Sequence, residues 1–132
     1  MCVFCDIVNG KIPCYKLYES DNVLAFLDIS QATKGHTLVI PKKHYESLYD
    51  LNEEVAKEII TVAKKIALLL KDKLNVTNVN LLNNSGELAG QEVKHFHLHV
   101  IPRYTKDDVT IKPIAHEPNF DELQKLHDLL TK

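Results

Sequence analysis

The segment KHFHLHVIPR, residues 94–103, sets His95, His97 and His99 at alternate positions, with Phe96, Leu98 and Val100 on the other parity and Pro102–Arg103 behind them. Successive side chains of an extended chain point to opposite faces, so the three imidazoles share one face and the apolar residues share the other. The apolar set suits a core and the histidines a site. A single histidine on an exposed strand face is commonplace, but three in alternation ahead of a strand-ending proline point to chemistry. Two uses fit: metal ligation, or nucleophilic catalysis by one ring whose neighbours position it and the substrate. A nitrogen bound to a metal cannot attack an electrophile, so the row is free to divide its work.

Cys2 and Cys5 suggest how it divides. A Cys-x-x-Cys supplies two sulfurs, and a four-coordinate structural zinc needs two more ligands. Outside the central pair the candidates are His44, which follows the HTLVIP run, and His95. Redox chemistry is the alternative use of the two thiols, but the strand–helix–strand surroundings of such motifs are missing. With Cys14 the cysteine count is odd, which does not suit a disulfide framework. Cys14 reads as a partly buried apolar residue.

The rest of the chain has to hold these groups. Its 132 residues read as one domain over 1–132, large enough for a core without staples. Hydrophobic residues make up 45% and charged residues 26%, and the formal net charge of -2 offers no basic footprint, so no nucleic-acid partner is expected. Neither a leader-like N-terminus nor an apolar run of ~18 residues is found, so a cytoplasmic location with no membrane partner is expected. YKLYES, NVLAFLDI and HTLVIP read as three strands. From Asp50 or Asn52 to about Leu74 the pattern turns helical, with Val55, Ile59, Val62, Ile66 and Leu69 at steps of three or four. VTNVNLLNN alternates as a fourth strand, Gly86–Gly90 form a loop, and HFHLHVIPR is the fifth strand. A last helix starts at Asn119, has Glu122 at its capping-box position, and carries Leu123, Leu126, Leu129 and Leu130. The fold class is α+β: an approximately five-stranded, mainly antiparallel sheet with one long helix and shorter terminal helices.

HFHLHVIPR resembles the His-x-His-x-His signature of the histidine triad (HIT) family. CVFCDIVNGKIP, LAFLDISQATKGHTLVIPKKH and NNSGELAGQEVKHFHLHVIPR follow the order and spacing of its Hint-like branch, zinc-containing bacterial members included. The likeness spans residues 2–103, leaving 104–132 as a C-terminal extension with a helix. It implies a HIT-like fold, a homodimer, and hydrolysis at the α-phosphate of purine nucleoside phosphoramidates, acyl adenylates or dinucleoside polyphosphates, with release of a nucleoside monophosphate.

The resemblance also assigns residues. His97 matches the nucleophile that forms a nucleotidyl-imidazole, His99 its phosphate-binding neighbour, and His36 the further histidine of the site. Asp28 matches the carboxylate on the ribose hydroxyls, and Phe4, Ile7, Phe26 and Ile29 the apolar nucleoside pocket. Asn84 and Gln91 match polar positions near the phosphate and leaving group. Cys2, Cys5, His44 and His95 match the ligands of one structural zinc per chain, and no organic cofactor is implied. Where some members carry a serine near the leaving group, this chain has Glu92. A nucleotidyl transferase of the wider superfamily has glutamine in place of the third histidine, so His99 favours transfer to water. The absence of a glycine-rich Walker loop removes the usual kinase reading. The competing function is a nucleotide-sensing regulator or scaffold with only residual hydrolysis.

Overall fold

A computed structural model describes residues 2–132. The chain runs α1 (Val3–Val8), β1 (Lys16–Glu19), β2 (Val23–Leu27), β3 (Thr37–Pro41), α2 (Glu53–Leu74), β4 (Val79–Leu82), β5 (Leu98–Pro102) and α3 (Phe120–Thr131), with a short 3₁₀ turn at Glu87–Ala89. The strands form one five-stranded sheet in the order β1-β2-β3-β5-β4. Every recorded pairing in it is antiparallel. The expected α+β architecture is therefore present, with strands shorter than the β-prone runs in the sequence.

Two faces of the sheet bury two different sets. Val23, Ala25, Val39, Val100 and Phe96 lie against Ile59, Val62, Ala63, Ile66 and Leu70 of α2. Leu24, Phe26, Leu38 and Ile40 point the other way and pack on Phe4 of α1. Because β2 and β3 are covered on both faces, VLAF and TLVI read as continuous apolar runs rather than alternations. The helix stripe closes on Leu70, with Leu69 only half-buried. Asn52 caps α2 by accepting the Val55 N–H at 3.1 Å, and Asn75 ends it in the left-handed region.

The fifth strand departs from the sequence expectation. Only His99 of the three histidines lies within β5; His95 and His97 precede it. The antiparallel register pairs Val39 with Leu98, which sets Pro41 opposite Phe96, and Pro41 has no N–H with which to continue the ladder. The Phe96 N–H donates instead to the Tyr45 carbonyl at 2.7 Å. The alternation nevertheless persists beyond the ladder, since Phe96, Leu98 and Val100 all face the α2 core as expected.

At the other end, Asn119 caps α3 as its sequence indicates, accepting the Glu122 N–H at 3.1 Å. Leu123, Leu126, Leu129 and Leu130 are all exposed, so this stripe finds no cover within the single chain.

Gly35 shows how tightly the turn before β3 is set. Its φ is +100°, and a Cβ there would stand 3.0 Å from both Leu70 Cδ2 and Leu74 Cδ1. Gly35→Ala therefore meets left-handed backbone strain and overpacking against α2 together. The expected loss is about 2–4 kcal/mol in chemical denaturation; a loss below about 0.5 kcal/mol would contradict this account.

Candidate active site and metal centre

The sheet register builds the floor of the site. Phe26 pairs with Leu38, and Leu38 with His99, so the three stand side by side on three adjacent strands. Above them lies a cavity of about 540 Å³ lined by Phe4 and Ile7 of α1, Phe26, Asp28 and Ile29 at the end of β2, and Asn84, His97 and His99 on the opposite side. That volume lies within the usual range for small-molecule sites. Phe4 and Phe26 are at once core and wall, their rings meeting edge to face at 5.9 Å. Ile29 is 88% exposed and forms the lip. Cys14 is half-buried, as expected, and also lines the cavity.

Hydrogen bonding sets the state of each imidazole. His97 Nδ1 lies 2.8 Å from the His95 carbonyl oxygen. A carbonyl only accepts, so Nδ1 carries the proton and Nε2 is left with a free lone pair. Asn83, which the sequence reading passed over, holds the next carbonyl: its Nδ2 donates to the His97 oxygen at 3.0 Å. The Phe4 ring packs edge-on to the His97 ring at 5.1 Å.

A second chain of bonds fixes His99. The Ala32 N–H donates to His36 Nδ1 at 3.1 Å, which places the proton of neutral His36 on Nε2. That nitrogen is 2.9 Å from His99 Nδ1, so His36 donates and His99 accepts, leaving the His99 proton on Nε2. His36 itself is buried behind His99 and does not line the cavity. Burial above all, followed by His97 and His36, pushes His99 down to about 4 against a partial pull from Asp28. Burial likewise lowers His36, with Asp28 and the Ser30 backbone acting the other way. Both rings are thus neutral near pH 7.

Asp28 has two structural duties beside its place in the wall. Its Oδ1 accepts the Ser30 N–H at 2.8 Å, and its Oδ2 lies 3.6 Å from His36 Nε2. Gln31, also unremarked in the sequence, pins this turn by donating to the Asp28 and His36 carbonyls at 2.6 and 2.7 Å.

Gln91 is not brought to the cavity. Its amide oxygen accepts the Gly86 N–H, and its nitrogen donates to the Glu46 and Val93 carbonyls. In this structure both polar atoms of that side chain hold the 86–93 loop. Glu92, next in the chain, does line the cavity.

Cys2, Cys5, His44 and His95 offer ligand atoms that all lie within 4.8 Å of one another. His95 is fully buried. Its Nε2 donates to the Pro41 carbonyl at 2.8 Å, so Nδ1 presents a lone pair, 3.3 Å from Cys2 Sγ and 3.5 Å from Cys5 Sγ. His44 Nδ1 is 3.4 Å from Cys5 Sγ. Tetrahedral zinc with ordinary bond lengths sets sulfur and nitrogen ligands ~3.6 Å apart, so this donor set fits the ion. The ring-to-carbonyl bond of His95 is also the usual support for a ligating imidazole. Asp28, His36 and His99 form a second close group, but there the lone pair of His36 is already turned to the Ala32 N–H and its proton to His99. That group is a hydrogen-bond relay.

Comparison with known proteins agrees with this architecture. The HIT domain model matches residues 9–106, and the chain belongs to the HIT family. It is similar to a HIT family protein from Bacillus anthracis, whose crystal structure superposes with a TM-score of 0.91 at 49% identity, covering 98% of this chain and 94% of that one. A zinc-bound histidine triad family protein from Mycobacterium smegmatis gives a TM-score of 0.78 at 36% identity over 97% and 96% of the two chains. Adenosine 5'-monophosphoramidase HNT1 of Saccharomyces cerevisiae is 41% identical over 133 residues, covering 99% of this chain and 82% of the yeast protein.

The depressed His99 makes stability depend on pH in a definite direction. Between its ordinary value of 6.5 and about 4, the unfolded chain binds a proton at this site that the folded chain does not. Stability is therefore complete above pH 6.5 and falls as the pH drops toward 4, by on the order of 2–3 kcal/mol from this residue. Denaturant midpoints across that window should show the slope, and His99→Asn should flatten it relative to the unmodified protein.

Proposed function

We propose that this protein is a nucleotide hydrolase that acts at the α-phosphate of purine nucleoside phosphoramidates, with acyl adenylates and dinucleoside polyphosphates as further substrates, and releases a nucleoside monophosphate. The observation that carries the reading is the bond from His97 Nδ1 to the His95 carbonyl, which leaves Nε2 as a nucleophile at the wall of a nucleoside-sized cavity. Likeness to a yeast protein named as an adenosine 5'-monophosphoramidase supports the substrate class.

In this reading the base and ribose lie between α1 and the end of β2, against Phe4, Ile7, Phe26 and Ile29, with Asp28 accepting from the ribose hydroxyls. His97 Nε2 attacks the α-phosphorus, the bond to the leaving amine breaks, and the amine departs with a proton taken up from solvent. The imidazole becomes cationic, and the His95 carbonyl dipole at Nδ1–H stabilises that charge. His99 donates its Nε2–H to a non-bridging phosphate oxygen and Asn84 offers a further amide, so the spread negative charge of the transition state meets donors already in place. Water then attacks the same phosphorus and gives up a proton to solvent, the bond to Nε2 breaks, and the monophosphate leaves with neutral His97 restored.

Cys2, Cys5, His44 and His95 are proposed to hold one zinc per chain. With four protein ligands its contribution is structural, tying the N-terminus to the sheet. The chain is further proposed to form a two-fold dimer through α2 and the open edge of β4. Ile60 and Leu68 of α2 and Val79 and Leu81 of β4 are exposed apolar residues on those elements. Light scattering at micromolar concentration should give twice the chain mass of 15.0 kDa, and a monomer throughout would refute the dimer.

His97→Ala should lower turnover by roughly 10³-fold or more while nucleotide affinity changes only a few-fold, because the apolar pocket and Asp28 remain. Rapid quench with labelled adenosine phosphoramidate, followed by mass mapping, should place the nucleotide on His97. Label on another residue, or substantial turnover by His97→Ala, would reject this nucleophile.

A further inference from the structure

Metal tetrad and nucleophile meet in one residue. His95 turns its ring Nδ1 to the two cysteine sulfurs and lends its carbonyl oxygen to His97 Nδ1, while its other ring nitrogen is tied to Pro41. Both groups belong to one buried residue, so a displacement of the His95 backbone moves the carbonyl that holds His97 and carries the ligating ring with it. A second link runs through α1. Phe4 sits between Cys2 and Cys5 in sequence, and its ring lies 5.8 Å from that of His95 and 5.1 Å from that of His97 while lining the nucleotide cavity. Among the described residues, each recorded side-chain hydrogen bond from residues 2–8 to the sheet side of the molecule runs through Cys2 or Cys5, to His44 or His95. A helix of six residues has no stability of its own. Apart from the apolar packing of Phe4 and its neighbours, the tetrad is what seats this wall.

We infer that Cys2, Cys5, His44 and His95, when they hold a divalent ion, are positioning residues for the catalytic site. Ion occupancy seats Phe4 in the cavity wall and holds His97 in its Nδ1–H tautomer, so nucleotide affinity rises with it. Linkage makes the effect reciprocal: if the ion raises nucleotide affinity by some factor, bound nucleotide raises ion affinity by the same factor. The inference rests on the nucleotide reading above and adds to it a thermodynamic coupling between two sites.

The test uses the full zinc-loaded chain and AMP. Calorimetry should give an AMP affinity about tenfold higher for loaded than for chelator-stripped protein, and saturating AMP should raise resistance to zinc removal by a chelator by the same factor. Nitrogen-15 imidazole spectra should show His97 in one tautomer when loaded and in mixed tautomers when stripped. His44→Ala, which removes an exposed ligand outside the cavity lining, should weaken AMP binding at limiting zinc and recover it at saturating zinc. A direct role of His44 in the cavity would show no such rescue. Cobalt(II)-substituted protein covers the case in which stripping unfolds the chain, since AMP should then shift the visible ligand-field bands of a folded, loaded molecule. Unchanged bands at saturating AMP would overturn the coupling, as would equal AMP affinity and an unchanged His97 tautomer in stripped, folded protein. Failure of the loaded protein to bind AMP at all would overturn the nucleotide reading itself, whereas binding without coupling overturns only this inference.

Discussion

A backbone carbonyl can only accept a hydrogen bond, and the His95 carbonyl accepts one from His97. The local structure depends on keeping that oxygen out of any strand ladder. Were β5 to extend back through residue 95, ladder partners would compete for the carbonyls that the site now uses. Pro41, lacking an N–H, ends the ladder on the β3 side, and the Asn83 side chain takes the His97 carbonyl on the β4 side. The chain remains extended, so the histidines keep one face, yet its carbonyls are released for side-chain work.

That arrangement requires a rigid base. Val39 and Val100 are fully buried against α2, and the pairing of Leu38 with His99 carries this rigidity across to the cavity face. The turn before β3 delivers His36 to the back of His99. Its geometry is set by Gly35 against Leu70 and Leu74, by Gln31 across the turn, and by Thr33, whose hydroxyl donates to the Pro102 carbonyl at 2.5 Å. Core packing and imidazole orientation are in this sense one construction, because the residues that fill the space under α2 also fix where the relay begins.

Much of this was legible in the sequence because it rests on period and residue type. The long helix, its Asn52 start, the strand order along the chain, the split of the HFHLHV alternation into core and site faces, and the Cys2–Cys5–His44–His95 grouping all follow from patterns that side-chain direction and ligand chemistry impose. Details set by partners distant in sequence were not legible. The late start of β5 depends on which residue of β3 lies opposite, and the type and loop position of Gln91 do not reveal that its amide closes that loop. Asn83 and Gln31 were overlooked for the same reason. Their importance lies in which carbonyls they reach, and an amide in a polar run gives no sign of that.

The electrostatics of the cavity bear on why the relay must be neutral. Among the described residues its lining holds Asp28 and Glu92 but no lysine or arginine. A phosphate bound there as proposed would be met by neutral donors, since burial keeps His36 and His99 uncharged near pH 7. Neutrality has a cost in raw attraction, but in the proposed mechanism it suits a His97 nucleophile that itself becomes cationic. The His97 and His99 rings are 5.1 Å apart, and at that separation two positive imidazoles repel by roughly 3 kcal/mol at an effective dielectric of 20. Were His99 charged in the ground state, the charge created on His97 by attack would meet that repulsion as the new bond forms. By passing a hydrogen bond from the Ala32 amide through His36 to His99, the fold supplies a donor aimed without a charge, and under the proposed mechanism the positive charge appears only on the His97 ring.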